Sequence, residues 1–143
     1  QDLQFWANLG LLETEFKDYV NEFGEDLSGR DQAQAPNYQY SVGGRYNITS
    51  AITLGLEIAG KDGFYFSDRH DTRANSYDIV NANLALVRER WSLSVWARNL
   101  TDEDYFVRGF GGFGNNPAKG YITEPYYQLG EPRMVGLSAS YTF

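Results

Sequence analysis

Cysteine is absent from the sequence, proline occurs only four times, and no long apolar run exists. The lack of cysteine excludes disulfides, thiolate catalysis and cysteine metal sites. A membrane-spanning helix needs about 18 or more consecutive apolar residues, so the sequence predicts none. The first ten residues, QDLQFWANLG, have neither the basic nor the apolar region of a signal peptide. We therefore expect either a mature chain or a piece of a longer one.

Positive charge is also scarce. The 12 Lys and Arg residues are outnumbered by 19 Asp and Glu residues, which gives a net charge of -7 and a pI of about 4.6. Binding to nucleic acid depends on Lys and Arg side chains that neutralise phosphates. We therefore expect no nucleic-acid partner.

Tyrosine, phenylalanine and glycine are abundant, and apolar residues alternate with polar ones at a period of two. In the last segment, for example, Val135, Leu137 and Ala139 share one face, and small residues share the other. This alternation predicts β-strands over residues 3–17, 36–48, 51–66, 76–88, 90–100 and 132–143. Several are as long as the tilted strands of about 9–11 residues that cross a bilayer.

The connections between the predicted strands alternate in length. Short turns around Thr49 and Glu89 contrast with long links at about 18–35, 67–75 and 101–131. Outer-membrane barrels combine short periplasmic turns, long extracellular loops and two aromatic girdles. The aromatic residues at the loop ends and turn ends of the strands are Tyr38, Tyr40, Phe64, Phe66 and Tyr77, and Tyr46, Trp91, Tyr141 and Phe143. We predict an all-β fold, an antiparallel up-and-down transmembrane β-barrel segment. An aqueous β-sandwich is the alternative.

Four stretches carry a family resemblance. WSLSVWARNLTDEDYF is similar to the penultimate strand and following turn of TonB-dependent outer-membrane receptors, and GEPRMVGLSASYTF resembles their final strand. ANLGLLETEFKDY and YDIVNANLAL also resemble strands of that family. The resemblance implies a barrel of about 22 strands with an N-terminal plug, in the outer membrane of a Gram-negative bacterium.

Six strands are fewer than the roughly eight of the smallest single-chain barrels. We therefore expect residues 1–143 to be the C-terminal portion of a β-barrel domain, without the plug domain. Unpaired edge strands are not tolerated in lipid, so the fragment needs further strands. The expected partners are the lipid bilayer, the remainder of the barrel and plug, and the energy-coupling TonB protein through the missing N-terminal part.

The longest link contains RGFGGFGNNP, which matches a dinucleotide-binding fingerprint at Gly109, Gly111 and Gly114. No βαβ unit surrounds it and a poor helix former follows, so an extracellular loop is the better interpretation. Loops on a rigid scaffold commonly bind ligands, although a self-packed lid is an equal alternative. The ligand-binding candidates are Arg108, Phe110, Phe113, Asn115, Asn116, Lys119, Tyr121, Tyr126 and Tyr127.

Two other polar stretches suggest metals. SDRHDTR places His70 between two aspartates, and LTDEDY contains three acidic residues in a row. Neighbouring residues rarely converge on one ion, and the second stretch lacks the glycine of a calcium loop. We expect a solvated loop and a capped turn, with no metal and no cofactor. Because the only histidine has no oxyanion hole nearby, we also expect no enzyme.

Charged residues on the polar faces of the strands are predicted to face the lumen and contact the plug. They are Arg45, Glu57, Lys61, Arg98 and Arg133. The last strand resembles the signal that the barrel assembly machinery reads by β-augmentation, in which a free strand adds to a sheet edge. Its residues are Leu137, Ala139, Tyr141 and Phe143.

The expected function is active transport across the outer membrane of a scarce ligand, such as an iron chelate, a vitamin or an oligosaccharide. The alternative is a soluble or surface β-sheet module that binds carbohydrate on aromatic platforms. Dependence on detergent separates the two hypotheses.

Overall fold

The computed structural model describes residues 2–112 and 116–143. Its main feature is one antiparallel sheet in which six long strands follow one another in chain order. These are β1 (Leu3–Leu11), β2 (Tyr38–Asn47), β3 (Ile52–Lys61), β6 (Tyr77–Val87), β7 (Trp91–Arg98) and β10 (Met134–Tyr141). Two short hairpins lie in the connections: β4 (Phe64–Tyr65) with β5 (Arg73–Ala74), and β8 (Phe106–Phe110) with β9 (Tyr126–Leu129). The predicted all-β, antiparallel fold class is confirmed.

Helical structure among the described residues is limited to one 3₁₀ turn at Pro117–Lys119. No helix in these parts of the chain is long and apolar enough to cross a membrane.

One face of the sheet is apolar across all six strands, and we call it the apolar face. Directly opposed residues on paired strands point to the same side. The register therefore builds a continuous row of Leu3, Tyr46, Leu54, Leu84, Val95 and Leu137. A parallel row contains Phe5, Leu56 and Val135. Nothing in the described chain covers these side chains, and Phe5 is 76% and Leu137 67% exposed.

The other side, the polar face, carries charged and amide side chains together with two indoles. Trp6, which breaks the alternation of the first strand, belongs here and lies over Gly43 of β2. Trp96 lies over Gly136 of β10 in the same way, and its Nε1 donates to Oγ of Ser138 at 3.2 Å. Any Cβ on either glycine would collide with the ring above it. Each outermost strand pair is thus held in register by a tryptophan that fills the space above a glycine.

The first strand ends at Leu11, well short of the predicted end at residue 17. Beyond it the chain bonds within its own loop, because the amide of Phe16 donates to the carbonyl of Arg30 at 2.9 Å. The alternation of residues 13–17 is real, since Thr14 and Phe16 are half-buried and their neighbours exposed. It reflects packing inside the loop, so the prediction of a longer strand was wrong.

The third predicted strand, 51–66, is also too long. β3 ends at Lys61, and the chain then enters the β4–β5 hairpin, where Phe64 and Phe66 are buried in a loop core. They do not belong to an aromatic girdle. Tyr77 is likewise on the polar side, where its ring lies 4.5 Å from that of Tyr105. These three aromatic assignments are corrected by contacts between loops that periodicity does not encode.

Candidate ligand-binding loops

The three long connections lie at one end of the sheet and form what we call the loop layer. They are the first loop (12–37), the second loop (62–76) and the third loop (99–133). Because the sheet is a meander, the short turns at 48–51 and 88–90 lie at the opposite end. A ligand approaching the loop end therefore meets all three loops together.

The second loop is the core of the loop layer. Phe64 and Phe66 are 1% and 3% exposed and pack with Ala74 and the partly buried Phe106 of the third loop. The ring of Phe66 meets that of Phe106 edge-on at 5.9 Å, and Tyr127 lies 4.4 Å from Phe106. Phe64 in this cluster is the most deeply buried large apolar side chain of the described residues. The loops are consequently packed against one another like a small globular core.

The glycines of RGFGGFGNNP have a packing role in this core. A Cβ on Gly109 would collide with the ring of Phe66, and a Cβ on Gly111 would collide with Oγ of Ser67. Glycine is needed there because the third loop passes directly over the second. Gly114 lies outside the described residues. With Gly109 inside β8 and no βαβ unit in the sheet, the phosphate-binding context is absent from the described structure.

Gln34 of the first loop joins all three loops. Its Nε2 donates to the carbonyl of Phe66 at 2.9 Å and to that of Gly109 at 2.7 Å. Its backbone amide donates to the carbonyl of Tyr65 at 2.9 Å. Gln34 also has φ of 60°, a left-handed conformation that is uncommon outside glycine. No motif or spacing in the sequence marks this residue.

Arg30 attaches the first loop to the SDRHDTR segment. Its side chain is only 10% exposed, and it donates to the carbonyl of Ser67 at 2.6 Å and to Oδ1 of Asp71 at 2.8 Å. Its guanidinium also lies 4.5 Å from the ring centre of Tyr65. His70 in turn has Nε2 at 3.1 Å from the carbonyl of Phe110. The segment predicted to be solvated is in fact the junction between loops, because its carbonyls and aspartates accept hydrogen bonds from the first loop and its histidine contacts a carbonyl of the third.

Tyr19 and Asp68 form a second contact between the first and second loops. The Tyr19 hydroxyl donates to Oδ2 of Asp68 at 2.5 Å. This bond lowers the pKa of the Asp68 carboxyl and raises the pKa of the Tyr19 hydroxyl, because it stabilises the carboxylate and holds the phenolic proton. The buried Asn21 reinforces the contact by donating to the carbonyl of Asp68 at 2.9 Å.

Asn99 closes the base of the third loop. It is 2% exposed with φ of 47°, and its Nδ2 donates to the carbonyls of Glu103 and Glu131 at 2.9 and 3.0 Å. Its Oδ1 accepts from the amide of Glu103 at 2.8 Å. Asp102 in the same turn accepts from the amide of Arg133 at 2.9 Å. LTDEDY is therefore a turn that is hydrogen-bonded to the far end of the third loop. The described residues contain no cluster of His, Asp and Glu that could hold a metal.

The predicted ligand-binding residues of the third loop occupy several different environments. Arg108 lies 4.8 Å from the ring centre of Phe110, on the exposed side of β8. Asn116 caps the 3₁₀ turn by accepting from the amide of Ala118 at 2.9 Å. Tyr121 is exposed, with φ of 62°. The remaining candidates in the described chain are Lys119, which pairs with Glu124, Tyr126, which donates to Glu124, and Tyr127, which packs on Phe106. Phe113 and Asn115 lie outside the described residues.

Three of the five predicted lumen charges line a depression of about 660 Å³ on the polar face. Arg45, Glu57 and Arg98 border it together with Trp6 and Trp96. The other two predicted lumen charges lie elsewhere. Lys61 is nearer the loops, with its Nζ 4.2 Å from the ring centre of Phe64. Arg133 forms an ion pair with Asp102 at 3.4 Å. The depression thus brings two arginines and one glutamate together, and Arg98 also lies 4.0 Å from the carboxylate of Glu131.

Three of the four predicted assembly residues lie on β10, an edge strand of the described sheet. Leu137, Ala139 and Tyr141 oppose Val95, Leu93 and Trp91 on β7 and point to the apolar face. Phe143 follows with its ring 5.0 Å from that of Tyr141.

No known family model matches the sequence. Among solved structures, the chain is similar to the ferric-catecholate import receptor Fiu of Escherichia coli K12 in a closed form, with a TM-score of 0.71 and 22% identity over 99% of the chain. It is also similar to the siderophore receptor PiuA of Acinetobacter baumannii, with a TM-score of 0.74 and 17% identity over 96%. The chain spans 19% of the length of each receptor. It therefore has the fold of one segment of an outer-membrane β-barrel receptor.

Proposed function

We propose that this chain is the C-terminal part of the barrel of a TonB-dependent outer-membrane receptor, and that the whole receptor imports an iron chelate. The observation that carries the proposal is the apolar face, which runs across six antiparallel strands with no cover in the described chain. Each large apolar side chain left in water forgoes about 1.5–3 kcal/mol of burial. A bilayer around the barrel supplies the missing apolar environment.

In this proposal the chain contributes barrel wall and three extracellular loops. Ligand capture falls to the exposed side of the third loop, where Arg108, Lys119 and Tyr121 offer cationic and aromatic contacts. Arg45, Glu57 and Arg98 face a plug supplied by the rest of the receptor, which the energy-coupling protein displaces from the periplasm. The proposal assigns the chain a part in binding and releasing the ligand, and no covalent step.

The similarity to siderophore and ferric-catecholate receptors supports the ligand class. The direct test measures the uptake of a ferric catecholate, labelled with radioactive iron, by a Gram-negative strain that lacks the full-length receptor. Restoring the receptor is expected to restore uptake, and removing the energy-coupling protein is expected to abolish it. Uptake that is indifferent to both changes contradicts the proposal.

The carbohydrate-binding module makes the opposite prediction for the isolated chain. Such a module would fold as a monomer in plain buffer, with its apolar face exposed to water. The barrel segment is expected to need detergent, lipid or further strands. Sedimentation of the purified chain with and without detergent distinguishes them.

A further inference from the structure

Gln34 has a left-handed backbone conformation that no contact within the first loop explains. Its left-handed backbone is costly for a residue other than glycine, and its side chain crosses to two other loops. Strained backbone that persists in a folded protein is held by its surroundings and clusters at functional positions. Here the surroundings are the carbonyls of Tyr65, Phe66 and Gly109.

We infer that Gln34 is a positioning residue that locks the three loops into one body and so fixes the ligand-binding side of the third loop. The inference rests on the proposed function for its transport readout, but its structural claim stands without it. Both protons of the Gln34 amide are used, one on the second loop and one on the third. No other described side chain donates to backbone carbonyls of both these loops.

The position of the acceptor on the third loop explains why this bond matters for binding. The carbonyl belongs to Gly109, between Arg108 and Phe110, whose side chains form a cation–ring pair at 4.8 Å. Gly109 cannot shift toward the second loop, because Phe66 already fills the space beside it. The amide of Gln34 therefore completes the restraint, and the two candidate binding side chains are presented from a fixed stretch of backbone.

The discriminating variant is Gln34→Glu in the full-length receptor. It keeps the size of the side chain and the backbone strain but replaces the donating amide with a carboxylate that faces two carbonyl oxygens. Gln32→Glu is the matched control, because Gln32 is an exposed residue of the same loop and undergoes the same change of charge. A second variant, Gln34→Gly, relieves the φ requirement while removing the bridge, which separates loss of positioning from loss of folding.

The structural readout is the distance distribution between spin labels at Lys17→Cys in the first loop and Ile122→Cys in the third. Both sites are exposed and the chain has no other cysteine. The distribution is expected to broaden in Gln34→Glu and Gln34→Gly and to stay narrow in Gln32→Glu. A distribution that stays narrow in both Gln34 variants overturns the inference.

The transport readout uses a ferric catecholate labelled with radioactive iron. In both Gln34 variants the carbonyls of Phe66 and Gly109 lose their donor. A carbonyl without a partner changes the equilibrium between the packed and the open loop by roughly 5–30-fold, so we expect the apparent KM to rise within that range. The maximal uptake rate per receptor is expected to stay unchanged, as is the amount of folded receptor at the cell surface. An unchanged KM with broadened distances also overturns the positioning role. If the wild-type receptor takes up no ferric catecholate, the proposed function fails while the distance measurement still decides the structural claim.

Discussion

Phe66 in the second loop and Phe5 in the first strand have the same side chain, yet 3% of one and 76% of the other is exposed. Phe66 is enclosed by Phe64, Phe106 and the backbone of Gly109. The ring of Phe5 lies over Gly44 of the neighbouring strand and is otherwise largely exposed. The loop layer thus buries its aromatic residues against protein, whereas the sheet presents its apolar residues outward.

The difference shows that the two regions are built for different solvents. The loop layer encloses an aromatic core and is rich in hydrogen bonds between loops, as a domain in water is. The sheet has the reverse arrangement, with its polar face carrying Arg45, Glu57 and Arg98. Stability in the loops should therefore respond to internal packing, and stability in the sheet should respond to what surrounds it.

The largest expected effect comes from removing an aromatic ring from the core of the loop layer. In the full-length protein, Phe66→Ala should lower the free energy of unfolding of the loop layer by about 3–5 kcal/mol, because the ring leaves a cavity. Hydrogen exchange of the Gln34 amide should accelerate while amides of β3 stay protected. Phe23→Ala, at an exposed position of the first loop, is the control. Equal loss of protection in β3 would mean that the two regions unfold as one unit.

A charge on the sheet tests the other half of the comparison. Leu84 and Asn83 are neighbours on β6, both exposed in the chain itself and on opposite faces. Leu84→Arg should cost about 2–4 kcal/mol in lipid, because arginine on the outer face meets hydrocarbon. Asn83→Arg should be nearly neutral. The folded fraction in lipid vesicles, read from heat-dependent mobility on a gel, measures both, and equal values would remove the distinction between the faces.

Asn99 sharpens the comparison at the border between sheet and loop. Asn99→Asp removes the Nδ2 donor to Glu103 and Glu131 but keeps an oxygen for the Glu103 amide. Opening of the third loop should become easier by about 1–3 kcal/mol, since a carboxylate at the buried position 99 would face two carbonyl oxygens that have lost their donor. Exchange of the Gly130 amide, which bonds to the carbonyl of Tyr105, reports this opening. Asn116→Asp should change little, because aspartate also caps well.

The smallest expected effect is a dependence of the stability of the first loop on pH in the acid range. The pKa of Asp68 is lower in the folded loop than in the unfolded chain, because Tyr19 donates to it. The contact therefore stabilises the folded loop above the unfolded pKa, and this stabilisation is lost as the pH falls through the folded pKa. Tyr19→Phe should flatten the acid dependence of proteolysis within the first loop, whereas Tyr121→Phe should leave it intact. Identical acid profiles for wild type and Tyr19→Phe would dismiss the contact as a source of stability.

The sheet was predictable because its information is local. A period of two fixes which residues share a face, and the predicted faces of β3, β6, β7 and β10 agree with the register. Trp6 does not follow the alternation of its strand, because its indole lies on the polar face over Gly43 of the neighbouring strand.

The loop layer could not be predicted in the same way because its contacts join distant parts of the chain. Gln34 reaches Gly109 and Arg30 reaches Asp71, and neither pair has a spacing that marks it. Phe64 and Phe66 alternate like strand residues, so the pattern alone assigned them to a membrane girdle. Gly109 matched a nucleotide fingerprint for a related reason, because close backbone approach to a ring needs the same residue as close approach to a phosphate.

The most direct test of the account is a cysteine scan along β6 of the full-length receptor in lipid vesicles. Single cysteines at Val80, Ala82 and Leu84, on the apolar face, and at Asn81 and Asn83, on the polar face, would each carry a fluorophore. The account predicts that brominated lipid quenches the even-numbered positions and leaves the odd-numbered ones bright. Equal quenching of both sets by a water-soluble ion, with no effect of brominated lipid, would contradict it.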